Sequence, residues 1–404
     1  MLGAFIPVLL ATLVASAWNT AIPRGYRVLQ REYGNTFAVV YAILGNSLLL
    51  HAMVSYFVIF LRPSNQAVPP REPPAEVIRG EVIYECSDDV GTPARCELPG
   101  CEGRWRPARA RHCKDCGICR AGWDHHCPWF ASCIAYPTTL KPFVLFCAVI
   151  SPLLVFAFTP LAPTIIAQAQ YAIRHQWNSP KLHQIWWNKK RSWAVGPPFR
   201  YAVGLILCYT TLPASLRHTD DIEYPPSHWP WRPSALGRTD PSVSALVTFV
   251  FCAFVAVMGF IMAYTAIRNI RDGVATVEIE RARRWIGRLK ECEAAQAAGT
   301  QGKSGKRGDV PKSWDATVRL WIPEETAAED QSRRRSGRVL KLDPVAAMGI
   351  YDLGADLNWS KVMGNSPWEW FLPWHPSPHH GLWFEIGPLT IDGLLKVDSS
   401  GSVP

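Results

Sequence analysis

Long apolar runs separated by basic, proline-rich stretches set the pattern of this chain of 404 residues. Residues 2–18 are almost wholly apolar and end on Trp18, which predicts a short membrane span. A cleaved signal peptide is the rival: Ala15-Ser16-Ala17 offers the small residues of a cleavage site, yet no Lys or Arg precedes the run. Residues 37–61 predict a second span, long enough at about 1.5 Å per residue to exceed a hydrocarbon core of about 30 Å and tilt. Asn46, Ser47 and His51 interrupt it. Polar groups at that depth must face other helices, so the spans form a packed bundle. Residues 143–169 are apolar but broken by Pro152, Pro160 and Pro163, which predicts either a kinked third span or a re-entrant hairpin. Residues 201–213 are too short to cross comfortably, and residues 246–267 form the last clear span.

The intervening stretches have characters of their own. Residues 66–80 are a Pro-rich linker. Residues 170–200 combine Lys189-Lys190-Arg191 with Trp177, Trp186, Trp187 and Trp193, a composition suited to a membrane interface. Beyond the last span Ile279, Ala282, Ile286 and Leu289 recur at helical spacing, with Arg281, Arg284 and Arg288 round the helix. That describes a basic amphipathic helix lying along lipid headgroups. Residues 299–309 and 329–337 lack apolar periodicity and read as disordered linkers.

Composition sharpens this picture at two points. A hydrophobic content of 48% with a formal charge of +9 places the basic residues beside apolar spans, so the acidic partner is a membrane surface and not nucleic acid. Seven of the twelve cysteines fall between Cys96 and Cys133, beside His112, His125 and His126. Such paired spacings suit tetrahedral zinc and need a reducing, cytosolic environment. Cys147, Cys208 and Cys252 lie in apolar runs as small buried side chains. Two closed zinc sites need eight ligands, and the ten Cys and His residues of the cluster leave two over. Asp124-His125-His126-Cys127 suggests which two, because a thiol, an imidazole and a carboxylate are the parts of an activated nucleophile.

The run from Arg109 through His112-Cys113 to Cys116 and Cys119, then Asp124-His125-His126-Cys127-Pro128-Trp129 and Cys133, resembles the cysteine-rich domain of the DHHC protein S-acyltransferases (palmitoyltransferases). The resemblance implies two interleaved structural zinc ions, one on Cys96, Cys101, His112 and Cys119, the other on Cys113, Cys116, His126 and Cys133. It implies Cys127 as the acylated nucleophile, His125 as its base and Asp124 as the group orienting that base. Gly273-Val274-Ala275-Thr276-Val277-Glu278 resembles the family's Thr-Thr-x-Glu motif with Ala275 for the first Thr, which implies a hydrogen bond from Thr276 to Asp124. Tyr351 to Gly354 and Asn358 to Gly364 resemble the family's C-terminal motif, which packs on the catalytic core; a local aromatic cluster, continued through Trp368, Trp370 and Trp374, is the alternative. The chain departs from the family pattern in the four-residue gap between Cys96 and Cys101, in Ser132 and in Ala135, and Cys86 is close enough to replace Cys96 as a ligand. His375, His379 and His380 have no cysteine near them and read as surface residues.

The expected fold is therefore a polytopic α-helical membrane protein of about four transmembrane helices, with a cytosolic DHHC zinc module between the second and third. Its segments are an N-terminal transmembrane pair (1–65), the linker and zinc domain (66–141), a second pair with its loop (142–270) and a cytosolic C-terminal region (271–404). The expected activity is transfer of a fatty acyl group from acyl-CoA, palmitoyl-CoA in the family, through acyl-Cys127 to cysteines of membrane-associated proteins, at an endoplasmic reticulum or Golgi membrane. Loop charge opposes the four-span arrangement, since Arg174, Lys181, Lys189, Lys190, Arg191 and Arg200 become lumenal. The competing reading is an inert membrane-anchored zinc module that binds partners. A metal transporter fits less well, because transporters carry ionisable ligands at mid-membrane and these lie between spans.

Overall fold

The computed structural model describes residues 2–61, 67–136, 138–163, 165–166, 173, 176–211, 243–297, 317–324, 336–374 and 384–387. The stretch Arg62 to Asn65, the linker at 299–309, most of that at 329–337, Arg174 and the histidines 375, 379 and 380 lie outside the described residues. The main helices are α1 (Leu2–Tyr33), α2 (Asn35–Leu61), α3 (Leu140–Phe158), α4 (Pro197–Thr211), α5 (Val243–Arg271), α6 (Thr276–Ala297) and α7 (Ala355–Met363). Among the described residues, three helical stretches are long and apolar enough to cross a membrane: Asn35–Leu61, Leu140–Leu161 and Thr248–Arg271. They fit a polytopic membrane protein. The apolar run at 2–18 is not among them; it forms the first half of α1, which continues past Trp18 through Arg24, Arg27 and Arg31. The helix Pro197–Thr211 is short, as its apolar length requires.

The chain divides into two compact units. One comprises Pro7–Met53 and Phe146–Met262. Its helices meet through small residues, with Ala17, Ala21, Ala38 and Ala157 buried, and a Cβ on Gly259 would lie 2.7 Å from the Ile150 side chain. Close approach through small side chains is how helices associate where lipid removes the hydrophobic drive. Tyr41 donates to the Ala157 carbonyl at 2.7 Å and Ser151 to the Ala256 carbonyl at 2.7 Å, so these hydroxyls are bonded inside the bundle. Large side chains point outward instead: Val39, Val40, Ile43, Leu44, Phe254, Val257, Phe260 and Ile261 are all exposed. An apolar exterior on a polar-bonded interior suits lipid as solvent. Cys147, Cys208 and Cys252 are buried, and His51 is half-buried. Arg200, in the first turn of α4, stacks 3.8 Å from the Trp193 ring centroid and 5.0 Å from that of Trp187.

The other unit comprises Met1–Ile6, Val54–Leu145 and Ala263–Pro404. Among the described residues it holds nine short strands: β1 (Tyr84–Glu85), β2 (Arg95–Cys96), β3 (Arg104–Trp105), β4 (Arg111–Cys113), β5 (Ile118–Arg120), β6 (Trp123–Cys127), β7 (Ser132–Ala135), β8 (Val318–Pro323) and β9 (Gly337–Leu342). Three hairpins, β2-β3, β4-β5 and β6-β7, carry the cysteines, and β1, β8 and β9 form an antiparallel sheet in that order. The C-terminal hairpin was not legible from periodicity, and Gly337, expected in a linker, opens β9. Trp321 anchors the sheet, packing with Val77, Tyr84, Cys86 and Trp105. Residues 67–80 are more than a linker. The carbonyls of Ala67, Pro69 and Arg71 accept from Ala121 N, the Arg104 guanidinium and Trp105 N, fastening the segment along the hairpins.

Candidate active site

Strand geometry explains why the residues of two Cys/His clusters alternate along the chain. Successive side chains of a strand point to opposite faces, so His112 and Cys113, neighbours in β4, serve different clusters. Cross-strand pairing completes each one: His112 lies opposite Cys119, and His126 opposite Cys133. The first cluster is Cys96, Cys101, His112 and Cys119; the second is Cys113, Cys116, His126 and Cys133. In the first, His112 Nδ1 is 3.6 Å from Cys96 Sγ and 3.4 Å from Cys101 Sγ. In the second, His126 Nδ1 is 3.5 Å from both Cys113 and Cys116 and 3.7 Å from Cys133, and Cys116 is 3.5 Å from Cys133.

Those separations fit zinc. Tetrahedral bonds of about 2.3 Å to sulfur and about 2.0 Å to nitrogen place S and N about 3.5 Å apart and two sulfurs about 3.8 Å apart. Donor chemistry agrees: burial and the crowding of Cys96 and Cys101 push the Cys119 thiol well up, and burial with Cys113 does the same to Cys133. A divalent cation removes that conflict by taking the thiolates as ligands. The Cys119 N–H also donates to Cys101 Sγ at 3.1 Å. Gly100 matters to the arrangement, since at φ +84 a Cβ there would sit 2.4 Å from the Gly117 carbonyl oxygen of the neighbouring hairpin turn. Cys86 stands apart from both clusters, bridged to Pro93 and buried beside Tyr84 and Trp321, and burial pushes its thiol up to about 11. Cys96 is the residue that completes the first cluster.

The same alternation sorts the Asp124 to Cys127 run. His126 faces its cluster, while His125 and Cys127, two apart, share the opposite side of β6. The register shifts between Trp123 and His125, a bulge that leaves Asp124 without a cross-strand partner. Bulges re-aim side chains, and here Asp124 Oδ2 accepts from His125 Nδ1 at 2.8 Å. The other carboxylate oxygen, Oδ1, accepts from the Thr276 hydroxyl. Burial opposes a charge on His125, but hydrogen bonds and charge from Asp124 and Cys127 outweigh it and raise the imidazole to about 9. Cys127 itself is 5% exposed. Phe143 meets the His125 ring edge-on at 5.2 Å, and Phe130 lies between Phe143 and Tyr56. Thr139 ties this hairpin to α3, accepting from Ala135 N at 2.8 Å and donating to the Cys133 carbonyl at 2.9 Å.

Residues 99–283 match the DHHC palmitoyltransferase family. Similar curated proteins carry the same description. Palmitoyltransferase PFA3 of Candida glabrata is 43% identical over 12% of this chain and 15% of its own. Palmitoyltransferase spe-10 of Caenorhabditis elegans is 36% identical over 24% of this chain and 25% of its own. Palmitoyltransferase ZDHHC3-A of Danio rerio is 33% identical over 28% of this chain and 32% of its own. The chain thus spans about a third or less of the length of these relatives.

Within the DHHC stretch, one support has no counterpart in the sequence reading. Arg109, held at φ 58, is buried with Glu278 in a two-pronged pair of 2.9 Å contacts, Nε to Oε1 and the guanidinium NH2 to Oε2. Its guanidinium also donates to the Gly273 carbonyl and lies 4.7 Å and 4.8 Å from the ring centroids of Tyr351 and Phe384. Three distant segments, at 273–278, 351 and 384, therefore meet on one cation. Glu278 reaches back as well, accepting from Ala275 N at 2.8 Å, the carboxylate half of a capping box whose hydroxyl half Ala275 lacks. Downstream, Asn358 donates to the Arg271 carbonyl at 3.0 Å and accepts from Leu353 N at 3.1 Å, which seats α7 against the exit of α5. The available signal for Arg109 was its place in the cysteine-rich motif; its buried pairing and left-handed backbone have no such signal.

Proposed function

We propose that this chain is a polytopic protein S-acyltransferase, moving a fatty acyl group from acyl-CoA to cysteines of membrane-associated proteins. What carries the reading is the line Cys127, His125, Asp124, Thr276, assembled from residues that two complete four-ligand clusters leave over. His125 takes the Cys127 proton, and the thiolate attacks the carbonyl carbon of the acyl-CoA thioester. The carbon–sulfur bond to CoA breaks, and CoA leaves with the proton from His125. A substrate cysteine then gives its proton to His125 and attacks acyl-Cys127, which departs as thiolate. Asp124 keeps the imidazole in the tautomer that faces Cys127, and Thr276 fixes Asp124. Exchange between thioesters is nearly balanced, so the protein supplies activation and placement.

Zinc in this scheme is structural, because each cluster already fills four positions and leaves none open for a reactant. It stabilises the hairpins on which Asp124, His125 and Cys127 stand. Palmitoyl-CoA is the expected donor, and Phe143 and Phe130, packed beside His125, offer its chain apolar contact. The arrangement we favour has four spans, the segments 1–65, 66–141, 142–270 and 271–404, and the zinc module and C-terminal region on the cytosolic side of an endomembrane. The purified chain, given palmitoyl-CoA, should carry a hydroxylamine-labile acyl group on Cys127 by peptide mass spectrometry. Absence of any acyl adduct would favour an inert zinc-binding interaction module.

A further inference from the structure

The segment after α7 separates its aromatic residues into two groups. Trp370 turns inward, its Nε1 donating to the Gly364 carbonyl at 3.0 Å and its ring meeting Trp359 edge-on at 5.9 Å. Glu369 accepts from Asn365 N at 2.8 Å and closes the turn. Trp368, Phe371 and Trp374 are left outside, 82%, 63% and 56% exposed. Their spacing of three residues keeps Trp368 and Phe371 on one side of the turn.

The segment is fastened where a membrane-length helix ends. Asn358 donates to the carbonyl of Arg271, the last residue of the stretch Thr248–Arg271. From Asn358 the chain reaches Trp368 through the rest of α7, at about 1.5 Å per residue, and a few turn residues, so Trp368 stays within about 25 Å of the span's end. Adjacent exposed aromatics of this size mark a contact surface, and tryptophan in particular gathers where hydrocarbon meets headgroups.

We propose that Trp368, Phe371 and Trp374 form a foot that dips into the interface of the bilayer the chain spans, with phospholipid as its occupant. Trp359 and Trp370 brace the foot and stay within the protein. The surface is independent of acyl transfer: a chain with no transferase activity would still set it in lipid.

The test uses the full chain in phosphatidylcholine–phosphatidylserine vesicles, with the photocrosslinker p-benzoylphenylalanine at position 368, 371 or 374 in turn. Phe254, 62% exposed on a membrane-length helix, and Val90, 75% exposed in a turn of the zinc module beside Asp88 and Asp89, are the reference positions. After irradiation, phospholipid adducts at the three positions should come within threefold of Phe254 and exceed Val90 at least tenfold. Adducts joining two copies of the chain, or lipid yields no higher than at Val90, would overturn the proposal. The three positions are separate trials, and monodisperse elution of each labelled chain shows that it has folded.

Discussion

Removing the carboxylate of Glu278 should disable the DHHC module without touching a metal ligand or Cys127. In Glu278→Ala the Arg109 cation remains buried, its side chain 8% exposed, with the Gly273 carbonyl and two ring faces against it and no carboxylate among its described partners. Breaking such a pair from one side costs about 3–5 kcal/mol, because an uncompensated charge is left in the interior. At about 1.4 kcal/mol per decade, that is a shift of roughly a thousandfold in the local opening equilibrium. The strain at Arg109 is unchanged, so it does not confound the number. Hydrogen exchange followed by mass spectrometry over residues 273–290 reads this directly, and amide protection should fall by about two to three decades. Self-acylation should fall with it, since Thr276 loses its seat against Asp124. A double variant, Arg109→Met with Glu278→Leu, should lose much less than the two single changes summed. Exchange in Glu278→Ala within threefold of the parent, or strict additivity in the double variant, would refute the reasoning.

The metal assignment predicts that Cys127→Ala keeps two zinc ions and loses all acyl uptake, whereas Cys133→Ala and His126→Ala lose metal; metal stoichiometry and acyl incorporation on the same preparations decide it. Thr276→Ala should slow self-acylation by up to about a hundredfold, since one hydrogen bond to a charged group contributes about 1.5–3 kcal/mol, while Thr276→Ser stays near the parent rate. Cys86→Ser should retain both zinc ions, and the native Cys86 thiol, pushed up to about 11 by burial, should resist iodoacetamide at neutral pH until the chain is denatured. Ala275→Thr should raise the thermal midpoint, because a cap hydroxyl contributes about 1 kcal/mol.

What the sequence disclosed followed from local rules. Residues 37–61 and 246–267 stood out because crossing lipid demands an unbroken apolar run, and the helices found there, Asn35–Leu61 and Val243–Arg271, extend only a few residues further. Cysteine spacing alone left ligand sets open, but His112 opposite Cys119 and His126 opposite Cys133 put each spacing on a strand pair. Contacts between distant segments were hidden. The pairing of Tyr84 with Trp321 joins residues 237 positions apart, and nothing in the alternation of β8 says which edge it will find. Arg109 was hidden for another reason: a cation at the centre of a buried cluster looks, in one dimension, like another surface charge beside Arg111. The amphipathic stripe of α6 divides in two, with Ile279 half-buried and Ala282 packed but Ile286 and Leu289 exposed, a division that periodicity alone does not mark.

The interleaving of the two ligand sets also orders events on the ribosome. The first cluster cannot close until Cys119 has been made, and the second waits for Cys133. At about 5–20 residues per second the interval between them is roughly one to three seconds. Because His112 and Cys113 are adjacent, neither metal can load on a stretch of chain that excludes the other's ligands. A nascent chain starved of zinc would therefore stall with both sites open and their six thiols unprotected, not with one finished finger and one unfinished. Asp124 waits longer still, because Thr276 and Glu278 leave the ribosome well after the hairpins have closed. With zinc in both clusters, the newborn protein would pass through an interval in which its thiol is already mounted on a metal-braced strand while the carboxylate behind its histidine still lacks Thr276.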